Sequence, residues 1–194
     1  MEVAPNELGS AYRLLSTAVT PRPIAWVSTV DESGADNLAP FSFFTIASID
    51  PPLLTFYPVG TGADAKDTAR NAAETEELVV NVVTEDVVEA MNETAATLDR
   101  GDSEFDRADV TRAESVVVDP PRVAEARVAF ECELYDIRTV GSSTQVLAEV
   151  VRAHVDDDAT TDGKIDVEKL DTAGRLAGSW YATTDDRFSL ERPP

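Results

Sequence analysis

The stretch TPRPIAWVSTVDESGADNLAPFSFFTIASIDPPLLTF, residues 20–56, decides how the chain is read. It holds two apolar, strand-like runs joined by a turn, with polar residues at isolated positions. β-Branched and aromatic residues dominate both runs, and Gly, Asp, Asn and Pro punctuate their ends. Thr20 and Arg22 each precede a proline, which pushes them out of the helical region and makes the entry extended. Residues 24–30 read as a strand, and Asp31-Glu32-Ser33-Gly34 is hairpin turn chemistry. Residues 38–49 read as a strand-like run with a break near residues 40–42. Asp50-Pro51-Pro52 is a turn, and residues 53–57 form the next strand.

Outward from this stretch the β character continues. A short helix is expected in residues 8–17. Residues 66–76 favour a helix capped at Asp67 or Thr68. Residues 78–84 read as a strand. Residues 85–98 read as a second helix, with Val87, Val88, Met91, Ala95 and Leu98 at helical spacing. Residues 115–118 are short and extended. Residues 123–140 and 145–155 are long β runs around a Gly141-Ser142-Ser143 turn. Strands that follow one another through short turns favour an antiparallel barrel or sandwich over a βαβ arrangement. A chain of 194 residues suits a single domain over 1–194 with a real core.

Charge is the loudest feature of the composition. Sixteen basic residues face 37 acidic ones, for a net charge of −21, and only three of the basic residues are lysines. An acidic, lysine-poor surface suits a halophilic, high-salt cytoplasm, where the Debye length is about 3 Å at 1 M salt and self-repulsion is screened; the alternative is an ordinary acidic mesophile protein. The same balance argues against nucleic acid as a partner, because a phosphate backbone needs a basic footprint. The N-terminus carries no basic and apolar leader pattern, and no run of about 18 apolar residues is uninterrupted. The expectation is therefore a cytoplasmic chain with no membrane partner.

Catalytic machinery of its own is hard to assemble. There is no G-x-G-x-x-G, P-loop or G-x-S-x-G. Cys132 is the one cysteine and reads as packed and inert; His154 is the one histidine. Together they give too few nitrogen or sulfur ligands for a metal site of that type. Asp156-Asp157-Asp158 reads as a solvated acidic loop. An enzyme of this composition borrows its chemistry from a cofactor. Lys66 is the unusual cation, in Ala65-Lys66-Asp67-Thr68-Ala69-Arg70-Asn71 at a predicted helix start. Free N–H groups and the helix dipole already make that end positive, so a lysine there adds nothing favourable unless an anion sits nearby. A phosphate would explain it; so would an ion pair with one of many carboxylates.

Several segments, in this order and spacing, resemble the flavin reductase-like family of FMN-binding split β-barrels. They are Arg22-Pro23-Ile24-Ala25-Trp26-Val27-Ser28-Thr29, Asn37-Leu38-Ala39-Pro40-Phe41-Ser42-Phe43-Phe44, Asp50-Pro51-Pro52-Leu53-Leu54, and Lys66-Asp67-Thr68 with Asn71. Phe130-Glu131-Cys132-Glu133-Leu134, Glu149-Val150-Val151 and Arg175-Leu176-Ala177-Gly178 with Tyr181 extend the likeness, which covers roughly residues 10–185. One departure is Ala148, where the family pattern has glycine. The resemblance implies a mainly β, six-stranded Greek-key split barrel with helices, and a homodimer with one FMN per subunit near the interface. It places Ser28 and Thr29 at the flavin or its phosphate, and Asn37 and Ser42 on the ring, ribityl chain or phosphate, with the backbone of Ala39, Pro40, Phe41 and Ser42 alongside. Lys66 and Thr68 hold the phosphate; Asn71, Asp67 and Trp26 complete the set, Arg175 and Tyr181 close over the flavin, and His154 lies near the redox face. The implied activity is an oxidoreductase using NADH or NADPH to reduce bound flavin and pass electrons to free flavin, another small acceptor or a partner oxygenase. The alternative is an FMN-binding electron carrier without nicotinamide turnover.

Overall fold

A computed structural model describes residues 2–4, 7, 11–98 and 102–193. Residues 8–10 of the expected first helix lie outside the described residues. Seven strands form the main sheet: β1 (Ala25–Val30), β2 (Asp36–Phe41), β3 (Phe44–Ile49), β4 (Pro52–Phe56), β5 (Glu77–Val82), β6 (Val128–Val140) and β7 (Ser143–Val155). The helices used below are α1 (Ala11–Ala18), α2 (Asp67–Thr75), α3 (Val88–Glu93) and α4 (Glu104–Arg107). Shorter ribbons are named by their residues.

The β1–β2 turn forms where the sequence places it. The Asp31 carboxylate accepts from the N–H groups of Ser33 at 2.8 Å and Ala35 at 3.0 Å, and Gly34 adopts φ +83°. This side-chain turn suits Asp followed by a glycine free to take positive φ.

The spatial strand order is β2-β1-β5-β6-β7-β4-β3, and every neighbouring pair is antiparallel. The two edge strands, β2 and β3, are joined by Ser42 and Phe43 alone. So short a link between opposite edges forces the sheet to curl until they meet at that corner. Its inner face then becomes one core. Ala25 and Val27, Phe41, Phe44, Leu54 and Phe56, Leu78 and Val80, Cys132, Val146 and Ala148 all belong to a single apolar cluster. All seven strands contribute to it, which is the signature of a barrel interior. Ala72 of α2 enters the same cluster, so α2 packs into the barrel. The split barrel expected from the resemblance is present, with seven strands in place of six. The 38–49 run is two strands broken at the corner.

The outer face of the same sheet carries a second core. Ile24, Trp26 and Leu38 pack with Val83, Val87, Met91, Phe105, Val110, Val123 and Ala126. The chain between β5 and β6 therefore forms an outer layer. It begins with a 3-10 turn, Glu85–Val87, and α3, so the helix read over residues 85–98 is shorter than its periodicity suggests. No helix among the described residues is long and apolar enough to cross a membrane.

Candidate functional site

Strand register builds one end of the site. Thr29 of β1 faces Asn37 of β2. Alternation puts both on the inner side of the sheet, at the end where α2 packs. The Asn37 amide donates to the Thr68 hydroxyl at 2.9 Å and to the Thr29 hydroxyl at 3.4 Å, and the Asn71 amide donates to Thr29 at 3.2 Å. Thr29, Thr68 and Asn71 are buried. Thr68 and Asn71 lie one helical turn apart, so one face of α2 is sewn to the first hairpin. Each threonine accepts in these bonds and keeps its own O–H to donate.

The start of α2 differs from expectation in its cap. Lys66, in extended conformation, is the N-cap, and neither Asp67 nor Thr68 caps through its side chain. Thr68 is turned instead to Asn37. The Lys66 carbonyl accepts from the Ala69 and Arg70 amides, so the Asp67 and Thr68 N–H groups have no acceptor among the described residues. Asp67 pairs with Arg70. Lys66 is exposed, and among the described residues its ammonium has neither an ion pair nor a hydrogen bond. A lysine without a carboxylate in a chain of net charge −21 is an unmatched cation. Beside it lie two free amide donors and a buried threonine–asparagine cluster. That donor set fits a phosphate.

The site continues along β2 to the barrel corner. Ala39, Pro40, Phe41 and Ser42 are half-buried. Pro40 is tolerated because β2 is an edge strand. At about 3.3 Å per residue, Asn37 and Ser42 are roughly 16 Å apart. At the corner, Phe41 packs on Phe56 with ring centroids 5.2 Å apart, and Phe43 meets Tyr12 of α1 at 6.2 Å. Arg22 is buried 5.9 Å from the Phe43 ring and donates to the carbonyls of Ser16 (2.6 Å), Val19 (2.5 Å) and Leu176 (2.7 Å). It thereby ties the C-terminal end of α1 and the 174–182 ribbon to the corner.

Arg175 and Tyr181 pair with each other in that ribbon. Arg175 donates to the Tyr181 hydroxyl and the Gly178 carbonyl, and its guanidinium stacks 4.5 Å from the Tyr181 ring. The Tyr181 hydroxyl donates on to Asn92 at 2.9 Å. Both lie near the corner through the Arg22–Leu176 contact, without a direct bond to the Lys66 end.

Three other candidates stand apart. Trp26 is 0% exposed, sits in the outer core and donates its indole N–H to Thr94 at 2.9 Å. Ser28, also on the outer face of β1, donates to the Pro121 carbonyl at 2.5 Å. His154 pairs through Nε2 with the buried Glu131. The Glu131 carboxylate also accepts from the amides of Val116 (2.8 Å), Val117 (2.6 Å) and Val118 (3.2 Å). Burial opposes its ionisation, but the Val116 amide, His154 and the other two amides outweigh that and hold its pKa below the usual carboxylate value. The 115–118 segment is therefore a loop bent around a carboxylate, not a strand. Cys132 points into the barrel core, where burial pushes its thiol pKa far up. Arg22 and Glu131 were not singled out from the sequence. A charged residue within or beside an apolar strand run is the signal they carry.

Residues 17–169 match the family described as flavin reductase like domain. A Bacillus subtilis (strain 168) relative, the uncharacterized protein YwrF, is 43% identical over 190 residues, covering 94% of this chain and 93% of its own. Among solved structures, nitrilotriacetate monooxygenase component B from Bacillus cereus superposes with TM-score 0.94 at 37% identity, with 98% of each chain covered. Pseudomonas fluorescens 2-nitrobenzoate 2-nitroreductase NbaA superposes with TM-score 0.90 at 31% identity, covering 100% of this chain and 96% of its own. The family model spans most of the chain, and relatives match it over nearly its whole length: the chain belongs to the flavin reductase like domain family.

Proposed function

We propose that this chain is an FMN-binding oxidoreductase that takes electrons from NADH or NADPH and delivers them to free flavin, another small acceptor or a partner oxygenase. The observation that carries this reading is the unpaired Lys66 beside the free N–H groups of Asp67 and Thr68. In it, Lys66, Thr68 and the α2 N-terminus bind the phosphate, and Thr29, Asn37 and Asn71 fix that end in place. The β2 edge from Ala39 to Ser42 lies alongside the ring, and Arg175 with Tyr181 flanks the corner. Trp26 and Ser28 act from behind, by holding β1 against its outer layer. Bound flavin supplies the electron-transfer chemistry that this chain's own side chains lack. The protein's share is positioning and exclusion of water. Two neighbours support this reading: a nitroreductase supports a reductive role, and a monooxygenase component fits delivery to a partner oxygenase.

The same reading includes a homodimer. β3 is an edge strand that exposes Ile46 (63%) and Ile49 (79%), and α1 beside it exposes Tyr12 and Leu15. An apolar edge of this kind calls for a covering partner, and a second copy places the covered face next to the barrel corner.

The test is spectroscopic. The purified protein, after incubation with FMN, is mixed anaerobically with NADH or NADPH in concentrated salt. Bleaching of the visible flavin band by either nucleotide is the expected result. A bound flavin that neither nucleotide bleaches would make the protein an electron carrier, and failure to take up FMN would remove both flavin readings.

A further inference from the structure

Trp180 is 73% exposed, and its indole makes no hydrogen bond and no ring contact among the described residues. The other tryptophan, Trp26, is fully buried. Tryptophan is highly buried on average, so an indole left in water needs a reason. A loose surface loop would be one, but the turn that carries Trp180 is braced. The Leu176 amide donates to the Trp180 carbonyl at 2.9 Å, and the Trp180 amide donates to the Ala177 carbonyl at 3.1 Å. Arg175 holds the Gly178 carbonyl, and the Tyr181 hydroxyl fastens the next residue to Asn92. Ala177, Gly178 and Ser179 are small, so the tip of the turn carries no other bulky side chain.

Position gives the indole a task. The Leu176 carbonyl accepts from Arg22 at 2.7 Å, and the Arg22 guanidinium lies 5.9 Å from the Phe43 ring. One arginine therefore links the turn to the barrel corner between β2 and β3. Tyr12 packs on Phe43 with centroids 6.2 Å apart, so the corner is already aromatic. Arg22 also brings it a buried positive charge. Two of its bonds go to carbonyls at the C-terminal end of α1 and the third to Leu176. None reaches a carboxylate, and Nε is buried without a partner among the described residues. Carbonyls satisfy N–H donors but do not neutralise the charge, in a chain where acidic residues outnumber basic ones 37 to 16. A flat, electron-poor ring with oxygen substituents matches both features. Its face suits the negative face of an indole, and its oxygens suit a guanidinium field.

We propose that Trp180 selects the electron acceptor: it stacks on the ring of a quinone-type molecule whose carbonyl oxygens lie in the positive field of Arg22. This rests on the oxidoreductase reading of the adjoining site and narrows its small acceptor to one chemical class. The exchange balances with two electrons passing overall: NADH or NADPH, one proton and the quinone give the oxidised nucleotide and the hydroquinone.

The probe is 2-methyl-1,4-naphthoquinone, titrated against the tryptophan emission of the full-length protein, Trp180→Ala and Trp180→Phe. Saturable quenching without a shortened emission lifetime, present in the wild type and lost in Trp180→Ala, is the expected result. Trp26, shielded in the outer core, supplies the residual emission in both variants. In turnover, ferricyanide serves as an acceptor with no ring to stack. The ratio of the quinone KM to the ferricyanide KM should rise about three- to tenfold in Trp180→Ala, the range that an aromatic pair contributes. It should return toward the wild-type value in Trp180→Phe. Quenching that never saturates and shortens the lifetime, or a KM ratio unmoved in Trp180→Ala, overturns the proposal. Emission that responds to protein concentration and not to the quinone assigns the indole to a contact between copies and overturns it as well. Saturable, Trp180-dependent quinone binding in a protein that takes up no FMN would leave the ring site standing and remove the flavin reading alone.

Discussion

Lys66 is informative because the rest of the composition makes it expensive to leave unmatched. A cation surrounded by carboxylates finds one unless its position serves another anion. Reversing it to glutamate removes a charge-assisted bond, typically about 1.5–3 kcal/mol, and adds repulsion against the same phosphate. Lys66→Glu should therefore weaken FMN binding at least about tenfold, at about 1.4 kcal/mol per factor of ten. Titration of flavin fluorescence measures this, and an unshifted curve would remove Lys66 from the phosphate site. Lys66 stands out in the sequence because a rare residue type falls at a helix start, whereas Thr68 and Asn37 are marked as candidates by the family resemblance alone. Trp26 and Ser28 could not be assigned a face. All but the last residue of β1 are buried, so no polar alternation marks which side chains look inward. Trp26's place in the outer core and the bond from Ser28 to the Pro121 carbonyl are what put both on the outer face of β1.

The strands of the barrel were legible as elements because their ends carry turn chemistry, as at Asp31–Gly34 and before Leu53. The corner was less so. Phe41, Ser42, Phe43 and Phe44 continue the β pattern without a polar interruption longer than one residue, while the chain passes from one sheet edge to the other. Nor does local sequence show what anchors the 115–118 loop, since its ligand is Glu131 on β6, distant in sequence. That anchor gives a pH signature. The pKa of Glu131 is lower folded than unfolded, so its contribution to stability is full above the ordinary glutamate value of 4.5. It is lost as pH falls through the lower, folded value. Glu131→Gln keeps the shape and loses the charge. The wild type should be the more stable of the two near neutral pH, and the gap should narrow as pH drops below about 4.5. Parallel thermal melts across that range provide the check. A gap that is constant with pH would mean that the carboxylate charge does not hold the loop.

At the scale of the molecule, charge and assembly are one problem. Each chain carries −21, so a dimer gathers −42 across one interface. The proposed contact through α1 and β3 is apolar, and apolar burial strengthens in the presence of salts excluded from the surface. The repulsion that opposes it decays over about 30 Å at 0.01 M salt and about 3 Å at 1 M. Salt therefore acts in the same direction on folding and on association. Sedimentation equilibrium should show a dimer at molar salt and a shift toward monomer as salt is lowered, with the melting temperature falling in parallel. Replacing Ile46, 63% exposed on the β3 edge, with lysine separates the two effects. It removes apolar area and puts a charged side chain on the edge, a device that blocks edge-to-edge pairing. Ile46→Lys should stay monomeric even at molar salt while keeping the salt dependence of its melting temperature, because the net charge within each chain hardly changes. A variant that still dimerises would place the interface elsewhere. A wild-type melting temperature insensitive to salt would show that the acidic surface costs the fold nothing in dilute buffer, and with it the halophilic reading of the composition would fall.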